Sequence, residues 1–542
     1  FNWLKENGYN VISWQQVIDA ENGKGTLPDN AVLLSFDDGY ETMYNVVFPL
    51  LKAYNYPAVF APVTGWLDTP ANQKIAYADK MLDRSVFATW SQVKEMEQSG
   101  LVEIASHTHN LHNGINANPS GGQLPSVIAP EYKNGKYETE DAYKNRLKSD
   151  FTRTVQTLVN HIGKKPRVMV WPYGQFNDVS VQIARQAGMP HYFSLGEKNV
   201  NKVGDKHIGR LLLNAETDLN TVKNYLDGID ESKQIQRVLH VDLDYVYDAD
   251  KAQQAKNLDK LIDRIYRYGV TTVYLQAFSD PDGDGVADAL YFPNKYLPVR
   301  DDIFGRIAWQ LQTRAGVQVY AWMPVLAFDL RKGVKEAEYV IDSRTGKTST
   351  KAYLRLSPYN KQNVEIIKSI YNDLSFYAKF NGILFHDDAF LTDFEGAEGD
   401  HAEGMVSPQA KQKTQDLIQL THQLTDALKP YFLRGSYSLK TARNLYASVI
   451  TNPNAEEWLA QNLKTLTDNY DTTAIMAMPY MENEQPISQK EAYQWFASLI
   501  ENVKAQAPLE KVLFEFQAVN WRTQKPIPES ELIDWMTLLQ KN

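Results

Sequence analysis

The chain has 542 residues, no cysteine and a formal net charge of −10. Disulfides and thiolate metal sites are therefore excluded, which fits cytosol or periplasm alike. Nucleic acid is disfavoured as a partner, because phosphate binding needs a basic surface. No run approaches the roughly 18 apolar residues of a membrane span. The 31 tyrosines and 11 tryptophans lean toward carbohydrate, although aromatics also fill cores. The opening residues Phe1-Asn2-Trp3-Leu4-Lys5 read as the inside of an amphipathic helix, so the natural N-terminus is expected upstream.

In chain order, helical patterns cover about 1–20, 41–54, 90–99, 141–162 and 178–187, and strand-like runs occupy 31–36, 57–63, 101–105 and 167–171. This alternation predicts a mainly parallel sheet covered by helices. The stretch 113–140, rich in Asn, Gly, Pro and Ser, reads as a long loop. The polar segment 226–236 marks a boundary, giving domains over 1–228 and 237–542. Buried strands follow at 238–246, 271–278, 317–325, 382–386, 432–437, 473–480 and 512–519. Helical patterns separate most of them, so the second half predicts a (β/α) barrel.

Ser35-Phe36-Asp37-Asp38-Gly39-Tyr40 closes an apolar run, placing two carboxylates at a strand end, where α/β folds collect catalytic groups. Ser106-His107-Thr108-His109-Asn110-Leu111-His112 then holds three of the chain's ten histidines. Aspartate and clustered histidines suit a borderline divalent metal, and together they predict a hydrolase that activates water. Asp38, His107 and His112 are the candidate ligands, a set that accepts zinc, nickel, cobalt or iron. Asp37 is the candidate base, since consecutive strand side chains point opposite ways. His109 stays open between ligand, supporting group and exposed residue. Val170-Trp171-Pro172-Tyr173-Gly174 ends another strand, and its N–H groups can face a developing oxyanion.

In the second half, Gly382-Ile383-Leu384-Phe385-His386-Asp387-Asp388 is a buried strand ending in two carboxylates. Asp242, Asp244 and Glu515 stand at other strand ends, and Tyr320, Trp322, Tyr480 and Trp521 are candidates for stacking on sugar. Glycoside hydrolysis pairs two carboxyl groups, roughly 5 Å apart for retention or 6.5–9.5 Å for inversion. Asp387 or Asp388 can be one of them; a binding cleft whose acids pair with amines is the other reading. Asp280-Pro281-Asp282-Gly283-Asp284-Gly285, followed by Asp288, resembles a calcium loop, but Tyr291 stands where an EF-hand needs Glu. An acidic loop near a sugar groove is the alternative.

The three first-half segments, in this order, resemble the polysaccharide deacetylases of carbohydrate esterase family 4. The resemblance implies Asp37 as base, Asp38, His107 and His112 as metal ligands, and Pro172 and Tyr173 lining the groove, with a backbone oxyanion donor at Tyr173. Three departures stand out. The family's second histidine falls four residues after the first, where this chain has Leu111. Its arginine two residues before the groove proline is Val170 here, with Arg167 further off. Its leucine-x-histidine-aspartate motif, which supplies the general acid, is not found after Tyr173.

A narrower resemblance, over the whole chain, is to the PgaB-type deacetylases of poly-β-1,6-N-acetylglucosamine. His386-Asp387-Asp388, Met478-Pro479-Tyr480 and Phe514-Glu515-Phe516 also carry it. It implies an N-terminal distorted (β/α)7-type barrel and a C-terminal (β/α)8 barrel. It places the acid histidine on a strand preceding this chain, with weak or no deacetylation as the consequence. It also implies a second domain, with Asp387, Asp388 and Glu515 as its acids, that cleaves partly deacetylated polymer or only binds it. An outer-membrane export porin as partner and a periplasmic, outer-membrane-associated setting belong to the same expectation.

Overall fold

The computed structural model describes residues 1–196, 200–229, 235–396, 406–435, 438–483 and 485–542. The chain forms two compact units, Phe1–Ile235 with Pro430–Ser438, and Gln236–Lys429 with Leu439–Asn542. The division falls in the polar segment 226–236, of which residues 230–234 lie outside the described residues. Among the described residues no helix is long and apolar enough to cross a membrane.

Six parallel strands carry the first unit: β1 Ser35–Asp38, β2 Ala58–Pro62, β3 Val102–Ile104, β4 Val168–Val170, β5 His191–Leu195 and β6 His207–Arg210. They form two sheets, β1-β2-β3 and β4-β5-β6. A parallel bridge between Ser106 and Met169 links the sheets, with Ser106 N donating to Val168 O at 3.0 Å. Strand alternation sends Val59 and Ala61 to one face, where Trp14, Val168, Val170, Phe193 and Ile208 complete a core. It sends Ala58 and Phe60 to the other, against Phe48, Leu51, Val93 and Met96 of the covering helices. Burial on both faces is why β2 and β4 read as unbroken apolar runs.

Several expectations need correction here. The helix over 1–20 is two helices, Asn2–Glu6 and Trp14–Glu21, separated by a short strand, Asn10–Val11, that pairs with Ala31–Val32. A capping box between Ser13 and Gln16 starts the second helix afresh. The loop 113–140 contains two hairpins, Gly114–Asn116 with Gln123–Pro125 and Tyr132–Lys133 with Lys136–Tyr137. Strands β5 and β6 have no counterpart in the apolar pattern of the sequence, because His191, Ser194, His207 and Arg210 interrupt it.

The second unit holds one parallel sheet in chain order: β7 Val238–Val241, β8 Thr272–Gln276, β9 Gln318–Met323, β10 Gly382–Phe385, β11 Lys440–Tyr446, β12 Thr472–Met476 and β13 Val512–Glu515. Amphipathic helices such as Lys251–Arg267, Lys361–Tyr377, Pro408–Leu428 and Gln489–Lys504 connect them. Val238, Tyr274, Tyr320, Trp322, Leu384, Ala442, Ala474 and Leu513 pack into one cluster, so every strand contributes to a shared interior. Gly382 admits the Tyr320 ring, which a Cβ there would meet at 2.8 Å. The strand expected at 432–437 is a correction. Residues 432–435 belong with the first unit, Ser436 and Tyr437 lie outside the described residues, and the strand is Lys440–Tyr446. Buried Arg443 and Asn444 disguise it.

The expectation of complete (β/α)7 and (β/α)8 barrels meets a more open arrangement. Apart from two-stranded pairs, the described residues give two three-stranded sheets and one seven-stranded sheet, with no ladder joining the outer strands. Side chains span those edges instead. Arg210 on β6 holds Asp37 on β1, and His240 on β7 holds Glu515 on β13 at 2.8 Å.

Candidate metal centre and a second carboxylate site

Asp38 ends β1 with a left-handed backbone, φ 71°, a conformation that costs a non-glycine residue about 1 kcal/mol or more. Its Oδ1 lies 3.3 Å from His107 Nε2 and 3.2 Å from His112 Nε2, and its Oδ2 accepts the Tyr77 hydroxyl at 3.0 Å. One ligand-type atom from each of Asp38, His107 and His112 lies within 4.8 Å of the others. His107 Nδ1 stands 2.7 Å from the Val170 carbonyl, which can only accept. Nδ1 therefore carries the proton and Nε2 presents its lone pair, as a metal-ligating histidine requires. Burial works against charging His107, yet Asp38 and Asp37 hold its pKa above the ordinary value. The pocket thus draws positive charge, and its donor set fits a divalent cation.

Asp37 turns away from this cluster. Its two oxygens accept from Arg210 Nη1 at 2.8 Å and Nη2 at 2.9 Å, a fork-on-fork pair. Burial disfavours the carboxylate, but the Arg210 guanidinium outweighs it and holds Asp37 below the usual range. Asp37 is therefore ionised. His109 does not join the ligands; its Nδ1 pairs with Thr64 Oγ1 at 2.9 Å. His112 is enclosed by the rings of Tyr173, Trp66 and Tyr77 at 4.5, 5.1 and 6.0 Å. Pro172 is buried, while Tyr173 has φ 59° and is 42% exposed, so its ring borders solvent beside the cluster. Arg167 pairs with Glu103 and Gln15 and takes no part.

At the second site, Asp387 and Asp388 follow β10. Asp387 accepts Tyr353 OH at 3.0 and 2.9 Å, Tyr446 OH at 2.9 Å, and His386 Nε2 at 2.9 Å. Trp322 packs on His386 at 5.4 Å between ring centres. The Tyr353 ring rests against Gly285 of the acidic loop, where a Cβ would come within 2.0 Å of it. In that loop Asp280 accepts the N–H groups of Gly283, Asp284 and Gly285, and one carboxylate oxygen from each of Asp280, Asp282 and Asp284 lies within 4.8 Å of the others.

The other expected residues have varied surroundings, and the roles expected of Asp388 and Tyr320 do not fit them. Asp388 is fully buried and accepts backbone N–H groups from Val325, Leu326 and Ala327 at 3.0, 2.6 and 2.6 Å, so it anchors the turn after β9. Glu515 is 7% exposed, with His240 and Asn444 on its two oxygens at 2.8 and 2.7 Å. Asp244 is held by Ser279, Tyr291 and Arg300. Tyr320 packs against Tyr274 in the interior and offers no face to a sugar. Tyr480 donates its hydroxyl to Glu531, and Trp521 is 46% exposed.

A polysaccharide deacetylase family model matches residues 24–192, and one described as hypothetical glycosyl hydrolase family 13 matches residues 240–542. The poly-β-1,6-N-acetyl-D-glucosamine N-deacetylase of Escherichia coli (strain K12) is 40% identical over 568 residues, spanning 100% of this chain and 83% of that protein. The chain belongs to this N-deacetylase family. A relative of the same name from Staphylococcus aureus (strain N315) is 27% identical over 230 residues, spanning 42% of this deacetylase and 69% of its own length. The solved PgaB (BpsB) glycoside hydrolase domain from Bordetella bronchiseptica is 40% identical, spans 57% of this chain and 91% of that one, and superposes with a TM-score of 0.52. This N-deacetylase thus carries a glycoside-hydrolase-like second domain.

Sequence reasoning missed Arg210, Tyr77, Tyr353 and Tyr446 in this deacetylase. Each lies 34 to 173 positions from the aspartate it holds, and the strand of Arg210, broken by His207, gave no readable apolar signal. The other three are tyrosines among 31.

Proposed function

We propose that the first unit hydrolyses the N-acetyl groups of β-1,6-linked N-acetylglucosamine polymer with a divalent metal, zinc, nickel, cobalt or iron, held by Asp38, His107 and His112. The second unit binds and cleaves the partly deacetylated product. The convergence of Asp38 Oδ1, His107 Nε2 and His112 Nε2, with Asp37 turned aside onto Arg210, carries the first part. When bound, the metal polarises the amide carbonyl and makes water more acidic. Asp37, kept ionised by Arg210, takes a proton from the attacking water. The backbone N–H of Tyr173 faces the developing oxyanion, and the exposed ring of Tyr173 borders the sugar. The C–N bond breaks as the amine takes up the proton that Asp37 received from water, releasing acetate.

The product amine is cationic, which suits a second site with Asp387 at its centre and Asp280, Asp282 and Asp284 in the adjoining loop. Asp387 is the working carboxylate of that site, kept ionised by His386 and held by hydroxyl and imidazole donors that can exchange protons, whereas the backbone donors of Asp388 cannot. The same reading takes the two curled units as the (β/α)7-type and (β/α)8 barrels implied by resemblance. It also takes a periplasmic, outer-membrane-associated setting and an export porin as partner; cell fractionation and co-purification test both.

The deciding experiment incubates zinc-loaded protein with acetylated and partly deacetylated oligosaccharides and follows their mass. Acetyl loss supports the first activity and chain shortening the second. Intact acetyl groups with zinc bound would reject Asp37 as a sufficient proton carrier and leave the separate acid histidine implied by the resemblance as the donor the reaction needs. Binding without shortening would make the second unit a polymer-binding module.

A further inference from the structure

The two ligand histidines stand five residues apart, and the backbone between them has to turn back so that both rings reach Asp38. His107 is fixed at the end of β3 by the Val170 carbonyl. Thr108 then takes a left-handed backbone, φ 70°, with its N–H on Ser106 Oγ at 3.1 Å and its own Oγ1 accepting from Leu111 N at 3.2 Å. The next two residues are gripped from both sides. On one side, Asp150 of the helix Glu140–Ile162 accepts His109 N on Oδ1 at 2.8 Å and Asn110 N on Oδ2 at 2.7 Å. On the other, Thr64 N and Gly65 N donate to the carbonyls of Thr108 and His109 at 3.2 and 2.9 Å. Gly65 is closed to any side chain, since a Cβ there would lie 2.0 Å from Asn110 Oδ1 and 2.5 Å from His109 O.

One helical turn beyond Asp150, Thr154 Oγ1 lies 3.2 Å from both Ser106 Oγ and Thr64 Oγ1. The same helix face thus braces the loop at its start and at its middle. Asp150 is 9% exposed. Successive backbone N–H groups make an anion-binding concavity, and here a side chain of the same unit fills it.

We infer that Asp150 is a positioning residue of the metal centre: its carboxylate, opposed by Gly65, fixes the His109–Asn110 backbone and so sets the return of His112 to Asp38. This rests on reading Asp38, His107 and His112 as metal ligands. Asp150 grips backbone N–H groups between the two ligand histidines. Its effect is on ligand geometry, in the way outer partners of metal ligands act elsewhere.

The test measures zinc affinity by competition with a chromogenic chelator, for the full chain and for Asp150→Asn and Gly65→Ala, alongside thermal unfolding in excess chelator. Asp150→Asn keeps the shape but turns one acceptor into a donor facing an N–H. The expected result is zinc affinity weakened about 10- to 100-fold, with a smaller weakening in Gly65→Ala. Unchanged zinc affinity in Asp150→Asn overturns the inference and leaves the metal reading intact. An unmodified protein that binds no zinc, nickel or cobalt overturns the metal reading itself. Should Asp150→Asn fail to fold, Gly65→Ala decides: weakened zinc affinity supports the clamp, and wild-type affinity overturns it.

Discussion

Both units place two consecutive aspartates at the end of a strand, yet the two pairs are surrounded quite differently. At Asp37-Asp38 the partners are a guanidinium and two imidazoles, which leave one ionised base and one ligand. At Asp387-Asp388 they are two tyrosine hydroxyls and a histidine for the first, and three backbone amides for the second. Burial works against ionisation in all these carboxyls. Arg210 overcomes it at Asp37 and His386 does so at Asp387, while Asp388 stays above the usual carboxylate range despite its amide partners. The dipeptide by itself assigns no role. Charge and hydrogen-bond type on the neighbouring strands do so.

The sharpest way to break this contrast is Asp38→Asn. Zinc content of the purified protein should vanish and deacetylation should fall by about three orders of magnitude or more, while shortening of partly deacetylated chains continues. A variant that loses both activities would mean that the two sites do not work separately. The second pair gives the next largest effects. Asp387→Asn should fold as the parent does and lose about 10²- to 10⁴-fold in chain shortening. Asp388→Ala, which strands three buried N–H groups, should destabilise the second unit by about 3 kcal/mol in urea unfolding. Equal activity loss in the two variants, at equal stability, would erase the distinction between working carboxylate and anchor.

Arg210→Met comes third, and it also shows what the sequence concealed. With its partner gone, Asp37 loses the charge that keeps it ionised and aligned, so deacetylation should fall about 100-fold with zinc content unchanged. The metal set was legible because Asp38, His107 and His112 sit in two short motifs at strand ends, where side-chain direction follows from strand geometry. Arg210 was not legible. Its strand is short and punctuated by His207, and its contact with Asp37 spans 173 positions of chain. The same limit hid Lys440–Tyr446, where buried Arg443 donates to Tyr470 OH at 2.9 Å and to Ala389 O at 2.9 Å. Periodicity identifies apolar burial, whereas polar burial depends on partners that only the fold supplies. For this reason Tyr320, an aromatic at a strand position, read as a sugar platform and is core.

The smallest effect expected is a pH dependence confined to the second unit. Burial lowers the pKa of His386, but Asp387 and its acidic neighbours outweigh this and push it up to about 9. A folded pKa above the unfolded value near 6.5 means that the His386–Asp387 pair contributes fully below about pH 6.5. That contribution is lost as pH rises through about 9. Lys379 acts in the opposite sense. Burial pushes it down to about 7, so from there toward its unfolded value near 10.5 the unfolded chain binds the extra proton and stability rises with pH. The raw slope of Tm against pH therefore mixes the two, and the informative quantity is a difference between variants. Relative to Lys379→Met, the double variant carrying His386→Asn as well should lose a fall of a few degrees in Tm between pH 6.5 and 9.5. If the two curves run parallel, His386 is neutral across this range, and Asp387 keeps its place through the tyrosine hydroxyls alone.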